Sequence, residues 1–293
     1  MPIKQSWGSR IFDSVNVVLL LVFALITVIP FIYVIAGSFA TQKELLTQGF
    51  ILFPTEFSLD AYKYIFSTQT LVRSLLVTVY ITVVGTLINL FFTCLMAYPL
   101  ARKDMDFQKP ILMLVVFTML FSGGMIPTFL VVKELGMIDS YWALLIPGAI
   151  SAFNLIIIRN FFQQLPDGLE ESAKIDGCND LGIFLKIVLP LSMPAIATFS
   201  LFYAVGHWNT FFSAVLYIND NTKWPIQVLL RQIVILASGG IGDSSSMELD
   251  YVAPPDQAVK MAVIVVSTLP ILLVYPFLQK HFAKGVLLGS VKG

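Results

Sequence analysis

The sequence predicts an all-α integral membrane protein with six transmembrane helices and a charged hairpin on the cytoplasmic side between spans 4 and 5. Three observations predict it. Of the 293 residues, 57% are hydrophobic and only 12% are charged, whereas a soluble domain carries about 25% charged residues. Six stretches are apolar for long enough to cross a bilayer core about 30 Å thick, which takes roughly 20 helical residues. One segment, 166–186, interrupts this pattern with a charge cluster and a glycine.

The six stretches lie near 14–39, 72–100, 111–132, 141–159, 187–217 and 258–279, within a single transmembrane domain over 1–293. The first reads as a span and not as a cleavable leader. Its apolar run from Val15 to Ala36 is too long for a leader's hydrophobic region, and no small-residue cleavage site follows. Lysine and arginine near the span ends set orientation. One set of segments holds eleven and the other seven. The richer set includes ARKDMDFQK after span 2 and QKHFAKG at the C-terminal end. Both termini, the 101–110 loop and 160–186 are therefore expected in the cytoplasm of a multi-pass protein.

Three connections fall on the outer side. Residues 41–71 contain SLDAYKYIF, read as a short surface helix capped by Ser58. Residues 133–140 form a turn. Residues 219–257 form a long loop with the apolar WPIQVLLRQIVIL and a Gly/Ser-rich acidic tail, returning through Pro254-Pro255. A loop of that length either docks a partner or is a solvated connector.

Pro166-Asp167 opens a helix, where an acidic residue suits the positive end. Leu169 to Ile175 continue it. Gly177 adopts positive φ and ends it. Asn179 or Asp180 caps a second short helix through Lys186, and Leu189-Pro190 re-enters apolar sequence. A bare connector needs only a few residues, so about 25 structured ones suggest a gripped surface. The alternative is an amphipathic helix resting on lipid. Five acidic residues against two lysines disfavour it at an anionic leaflet.

Several classes are disfavoured. Net charge is zero and no polybasic run occurs, so nucleic acid is not an expected partner. Cys94 and Cys178 are too few for a disulfide framework, and with only His207 and His281 a metal site is not expected. No GxxxxGK[ST] occurs, so the chain is not expected to hydrolyse ATP. No Ser/His/Asp arrangement suggests an enzyme, and no catalytic residue is assigned. No acidic residue lies deep in a span and no inverted repeat is visible, which disfavours an ion-driven carrier.

Polar groups in a span face a cavity or another helix. In FYAVGHWNTFF of span 5, Tyr203, His207, Trp208, Asn209 and Phe212 are candidates to line a solute path, because aromatic faces stack on sugars and amides bond hydroxyls. The alternative for them is helix packing. In span 3, Ser122, Gly123, Gly124, Met125 and Pro127 predict a break or bend where backbone could gate the path, with Ser122 and Met125 as candidates to line it. Asn154 and Asn89 are further candidates.

Glu171-Ser172-Ala173, then Gly177, then Ile187-Val188-Leu189-Pro190, resembles the "EAA" motif of membrane subunits of binding-protein-dependent ABC importers. Asp176 and Pro194 fit it, and Ser172 stands where alanine is usual. The stretch GGMIPTFLVVKELGMIDSYWALLIP and the tail KGVLLGSVKG resemble the maltose-type carbohydrate branch, closest to permeases for complex oligosaccharides and polysaccharide fragments.

The resemblance implies a permease subunit that translocates an oligosaccharide, neutral or a uronate oligomer such as an alginate or pectin fragment. It implies a second permease subunit in a heterodimer, two cytoplasmic ATPases carrying ATP and Mg²⁺, an extracytoplasmic binding protein, and no cofactor on this chain. The hairpin would be the coupling helix. Glu171 would bond the ATPase, Ala173 would permit close approach, and Gly177 would make the turn. Another small solute, or a gradient-driven carrier, is the competing reading.

Overall fold

The computed structural model describes residues 7–237 and 257–290. The Gly/Ser-rich tail of the 219–257 loop, with Pro254 and Pro255, lies outside the described residues. Among the described residues the regular elements are helical, apart from one isolated bridge between Ala40 and Phe57. They form two compact units, one of residues up to Gln69 with 230–268, the other of Thr70–Leu229 with the residues from Leu269 on.

In the first unit, α1 (Trp7–Ser38) is apolar on every face and almost wholly exposed. An exposed helix without a polar side requires an apolar surrounding, which a bilayer supplies. α2 (Gln42–Thr47) and α3 (Asp60–Ser67) follow. Thr41 caps α2 by accepting the Glu44 N–H at 3.3 Å. The Glu44 carboxylate accepts the Thr55 N–H and hydroxyl, each at 2.7 Å, and the Glu56 N–H at 3.2 Å. These bonds, the Thr55 N–H first, hold its pKa below the ordinary carboxylate value. The expected capping by Ser58 is corrected: Leu59 occupies the cap position of α3. Ser58 sits one residue too early; its hydroxyl accepts the Asp60 N–H at 3.1 Å and donates to the Asp60 carboxylate at 3.0 Å.

The second unit is built along α4 (Gln69–Ala101), the expected span 2. Its two ends carry separate apolar cores. Val77 and Ile81 pack with Val132, Leu145, Ala214 and Tyr217. Cys94, Ala97 and Leu100 pack with Leu155, Ile158, Ile183 and Val188.

Span 3 breaks where Ser122 to Pro127 predicted it. α5 (Gln108–Leu120) and α6 (Met125–Glu134) meet at 115°. Gly124 takes φ +89 at the corner, a conformation side chains disfavour.

The stretch at 141–159, expected as a transmembrane helix, is not one helix. It forms α7 (Trp142–Leu145) and α8 (Ala152–Phe162), with residues 146–151 outside both helices. Pro147 supplies no N–H and Gly148 favours no helix, so the helix stops between them.

Residues 187–217 do not form one helix either. α9 (Asp167–Ile175) and α10 (Asp180–Ile183) precede a π turn (Phe184–Val188) and α11 (Leu189–Leu191). Then come α12 (Met193–Trp208), bent by 80° from the preceding segment, and α13 (Phe212–Tyr217). Pro190 lacks an N–H and its ring crowds the preceding turn, which the wider π turn accommodates.

α14 (Ile226–Ala237) and α15 (Gln257–Ser290) complete the fold. Among the described residues three helices are long and apolar enough to cross a membrane, or five if each bent pair is one span.

Candidate functional site

Two places in the second unit concentrate the sequence-predicted residues: a buried polar ladder between α4, α12 and the break after α7, and the hairpin α9–α10.

The ladder exists because the helix between α7 and α8 is interrupted. An interrupted helix leaves backbone groups that a membrane interior cannot hydrate, so neighbouring side chains must satisfy them. Asn89, only 2% exposed, donates from Nδ2 to the Gly148 carbonyl at 2.6 Å. Its Oδ1 therefore accepts, and His207 Nε2 donates to it at 2.7 Å. One turn further along α4, the Tyr203 hydroxyl accepts the Ser151 N–H at 3.3 Å and pairs with the Thr93 hydroxyl at 2.8 Å.

His207 lies so close to α4 that a Cβ at Gly85 would sit 2.5 Å from its ring. Tyr203 and His207 are thus tied into the interior packing. Trp208 and Asn154 are also buried. Asn209, Phe212, Ser122 and Met125 are exposed. Asn209 donates to the Val205 carbonyl of its own helix at 2.9 Å. The ladder does not bring these four into its hydrogen-bonded set.

The hairpin forms as its residues dictate. Pro166 begins α9. Gly177 takes φ +81, and the Gly177 and Cys178 N–H groups donate to the Lys174 and Ala173 carbonyls at 3.0 and 2.9 Å. This paired closure satisfies the helix end and requires a left-handed residue at Gly177. The Asn179 side chain caps α10 by accepting the Gly182 N–H at 2.8 Å.

Glu171, Ser172 and Asp176 face outward, and Ile175 is 86% exposed. Ala173 points the other way, into the core with Ile183 and Phe184. Its small size serves the hairpin's own seating on the chain. Leu189 is half-buried and Pro190 exposed.

The end of α4 forms the floor. The Leu100 carbonyl accepts from Gln108 Nε2 at 2.7 Å and Arg159 Nε at 2.9 Å, and the Ala101 carbonyl accepts from Gln163 Nε2 at 3.2 Å. Arg159 and Gln163, the residue that ends α8, lie four apart and so on one side, and both reach the same helix end.

Above this floor, Arg102 donates to Asp104 from Nε at 2.9 Å and Nη2 at 2.7 Å, and from Nη1 to Asp180. Its guanidinium lies 5.9 Å from the Tyr98 ring. Bonding to Asp104 raises the Arg102 pKa and holds the Asp104 carboxyl below its usual range. Lys174 approaches Asp104 at 3.9 Å. Between loop and hairpin opens a cleft of about 290 Å³, lined by Arg102, Gln163, Glu170, Glu171 and Lys174 among others.

The sequence reading missed the Arg102–Asp180 pair and the roles of Gly85, Thr93, Gly148 and Ser151. Arg102 and Asp180 lie 78 positions apart, so no local pattern links them. Pro147-Gly148 within an apolar run was the available signal for the broken helix.

A family model described as "binding-protein-dependent transport system inner membrane component" matches residues 3–288. The chain belongs to this family. Its members are membrane transport components, not enzymes, of systems that depend on a separate binding protein. The ABC-importer resemblance read from the 171–190 motif is thereby borne out.

Over 97% of the permease chain and 99% of the relative, it is 67% identical to the polygalacturonan/rhamnogalacturonan transport system permease protein YtcP of Bacillus subtilis (strain 168). It is 28% identical to the arabinooligosaccharides transport system permease protein AraQ of the same organism, over 96% of this chain and 98% of that one. Among solved structures, a bacterial ABC transporter involved in the import of the acidic polysaccharide alginate matches with TM-score 0.86 and 34% identity, covering 96% of this chain and all of the other.

Among the described residues no cluster of three or more metal-binding side chains occurs. Cys94 and Cys178 are free thiols, Cys94 buried.

Proposed function

We propose that this permease translocates an acidic, uronate-containing oligosaccharide as one membrane subunit of an ATP-driven importer. The 67% identity to a polygalacturonan/rhamnogalacturonan permease across nearly the whole chain carries the reading. The match to an alginate importer, whose cargo is also a polymer of sugar acids, supports the same substrate class.

In this reading the hairpin 166–186 faces the cytoplasm and couples the chain to one of two ATPase subunits, which hold ATP and Mg²⁺. The outward-facing Glu171 and the exposed Ile175 beside the Gly177 turn support it, since an exposed apolar side chain flanked by carboxylates suits a protein partner better than an anionic lipid surface. Both termini lie on the cytoplasmic side. A second permease subunit completes the membrane unit, and the 219–257 loop faces the extracytoplasmic binding protein. Asn209, Phe212, Ser122 and Met125 line the path more readily than Tyr203 and His207, whose polar groups are already bonded within the chain.

The test is reconstitution in lipid with the partner permease, ATPase and binding protein, with ATP hydrolysis measured against a panel of oligosaccharides. Stimulation by galacturonate or other uronate oligomers, and not by neutral arabino- or maltooligosaccharides, is expected. Stimulation by neutral sugars alone would overturn the substrate class. A chain that never co-purifies with an ATPase would overturn the importer reading.

A further inference from the structure

We infer that Arg102 is a positioning residue that joins the 167–183 hairpin to the end of α4, so that a pull on the hairpin moves α4. The inference rests on the coupling role proposed for that hairpin. α9 is short and the residues of its outer face, Glu171, Ser172 and Ile175 among them, are exposed, so force applied there needs a stiff route inward.

Arg102 provides one. It follows directly on the last residue of α4. Its side chain is only 14% exposed, and three of its nitrogens are bonded to carboxylates from two different segments. Asp104 holds it in the α4–α5 loop, and Asp180 holds it to the start of α10. The Tyr98 ring, one turn back on α4, lies beneath the guanidinium. Its own carbonyl is bound by Gln108 Nε2 at 3.0 Å. A planar fork held on both sides resists rotation in a way that a point ammonium cannot. The geometry is thus a rigid joint between two segments 78 positions apart.

Asp180 is the cleaner partner to change, because its side chain is 67% exposed and its substitution disturbs no core. The assay uses the intact transporter with its partner permease, ATPase and binding protein in proteoliposomes. It reads oligosaccharide imported per ATP hydrolysed, with assembly followed by co-purification. Asp180→Asn and Arg102→Lys each should lower that ratio about two- to fivefold, the range an exposed ion pair can supply, without loss of assembly. Asp180→Glu should restore much of it. The double variant should be no worse than the more affected single, because the contact that Asp180→Asn removes is already broken by Arg102→Lys.

An unchanged ratio in Asp180→Asn, a loss that Asp180→Glu fails to restore, or effects that multiply in the double variant would each overturn the inference. Gly177→Leu separates the two readings. If it uncouples transport while Asp180→Asn does not, only the Arg102 joint fails. If it imports normally, the hairpin role fails and this inference with it.

Discussion

Replacing Asn89 by leucine tests whether the buried ladder holds the broken helix in place. Leucine has the same branching and number of side-chain heavy atoms, so the change removes the hydrogen bonds while keeping the side-chain shape. Two bonds are lost at once: one to the Gly148 carbonyl at 2.6 Å and one to His207 Nε2 at 2.7 Å. In a water-soluble core each orphaned group costs about 1–3 kcal/mol, giving roughly 2–6 kcal/mol in all. In a membrane, side-chain hydrogen bonds between helices average about 0.6 kcal/mol, because the separated helices find other partners. Two such bonds set a floor near 1.2 kcal/mol. The Gly148 carbonyl belongs to backbone that no helix can satisfy, so its loss should lie nearer the soluble value. A destabilisation of about 2–3 kcal/mol follows.

The assay is unfolding of the purified chain in mixed micelles by titration with SDS, followed by tryptophan fluorescence. His207→Leu leaves the Asn89–Gly148 bond intact and should cost less than Asn89→Leu. The double variant should cost less than the sum of the two, since they share a bond. A cost for Asn89→Leu below about 0.5 kcal/mol, or strict additivity with His207→Leu, would refute the reasoning.

Gly85→Val should cost about 1–3 kcal/mol by overpacking, because its Cβ meets the His207 ring at 2.5 Å; the same titration reads it, and Gly85→Val combined with His207→Ala should recover part of the loss. Gly177→Ala should cost about 1–2 kcal/mol locally because φ is +81; faster amide exchange across 173–179 with little change at α12 is the expected signature. Glu44 gives a pH dependence. Its folded pKa is lowered below the ordinary 4.5, chiefly by the Thr55 N–H, so its stabilisation is complete above that value and fades as pH falls through the lowered one. Glu44→Gln should therefore be less stable than the parent near pH 7, with the gap closing below pH 4.5 in thermal unfolding; a gap independent of pH would exclude the carboxylate as its source.

Local rules made several elements legible. Hydropathy and length located α1, α4 and α15, because a helix that must satisfy its own backbone in lipid needs an unbroken apolar run. The hairpin was legible for the same reason: Pro166, Gly177 and Asn179 act within four or five residues of themselves, and each took the expected part. Ser58 failed as a cap by one position, within the ordinary slack of a helix boundary.

The sequence by itself therefore determined a membrane chain, its apolar segments, the turn chemistry of the hairpin and, through the 171–190 motif, the transport family. Tertiary structure decided what sequence separation hides. It bonded Asn89 and Tyr203 to the backbone freed at Pro147-Gly148, and His207 to Asn89. It turned Ala173 inward. It brought Arg102 to Asp180. In each case the deciding partner lies tens of residues away, and hydrogen bonds and ion pairs form by proximity in space, which no local periodicity encodes.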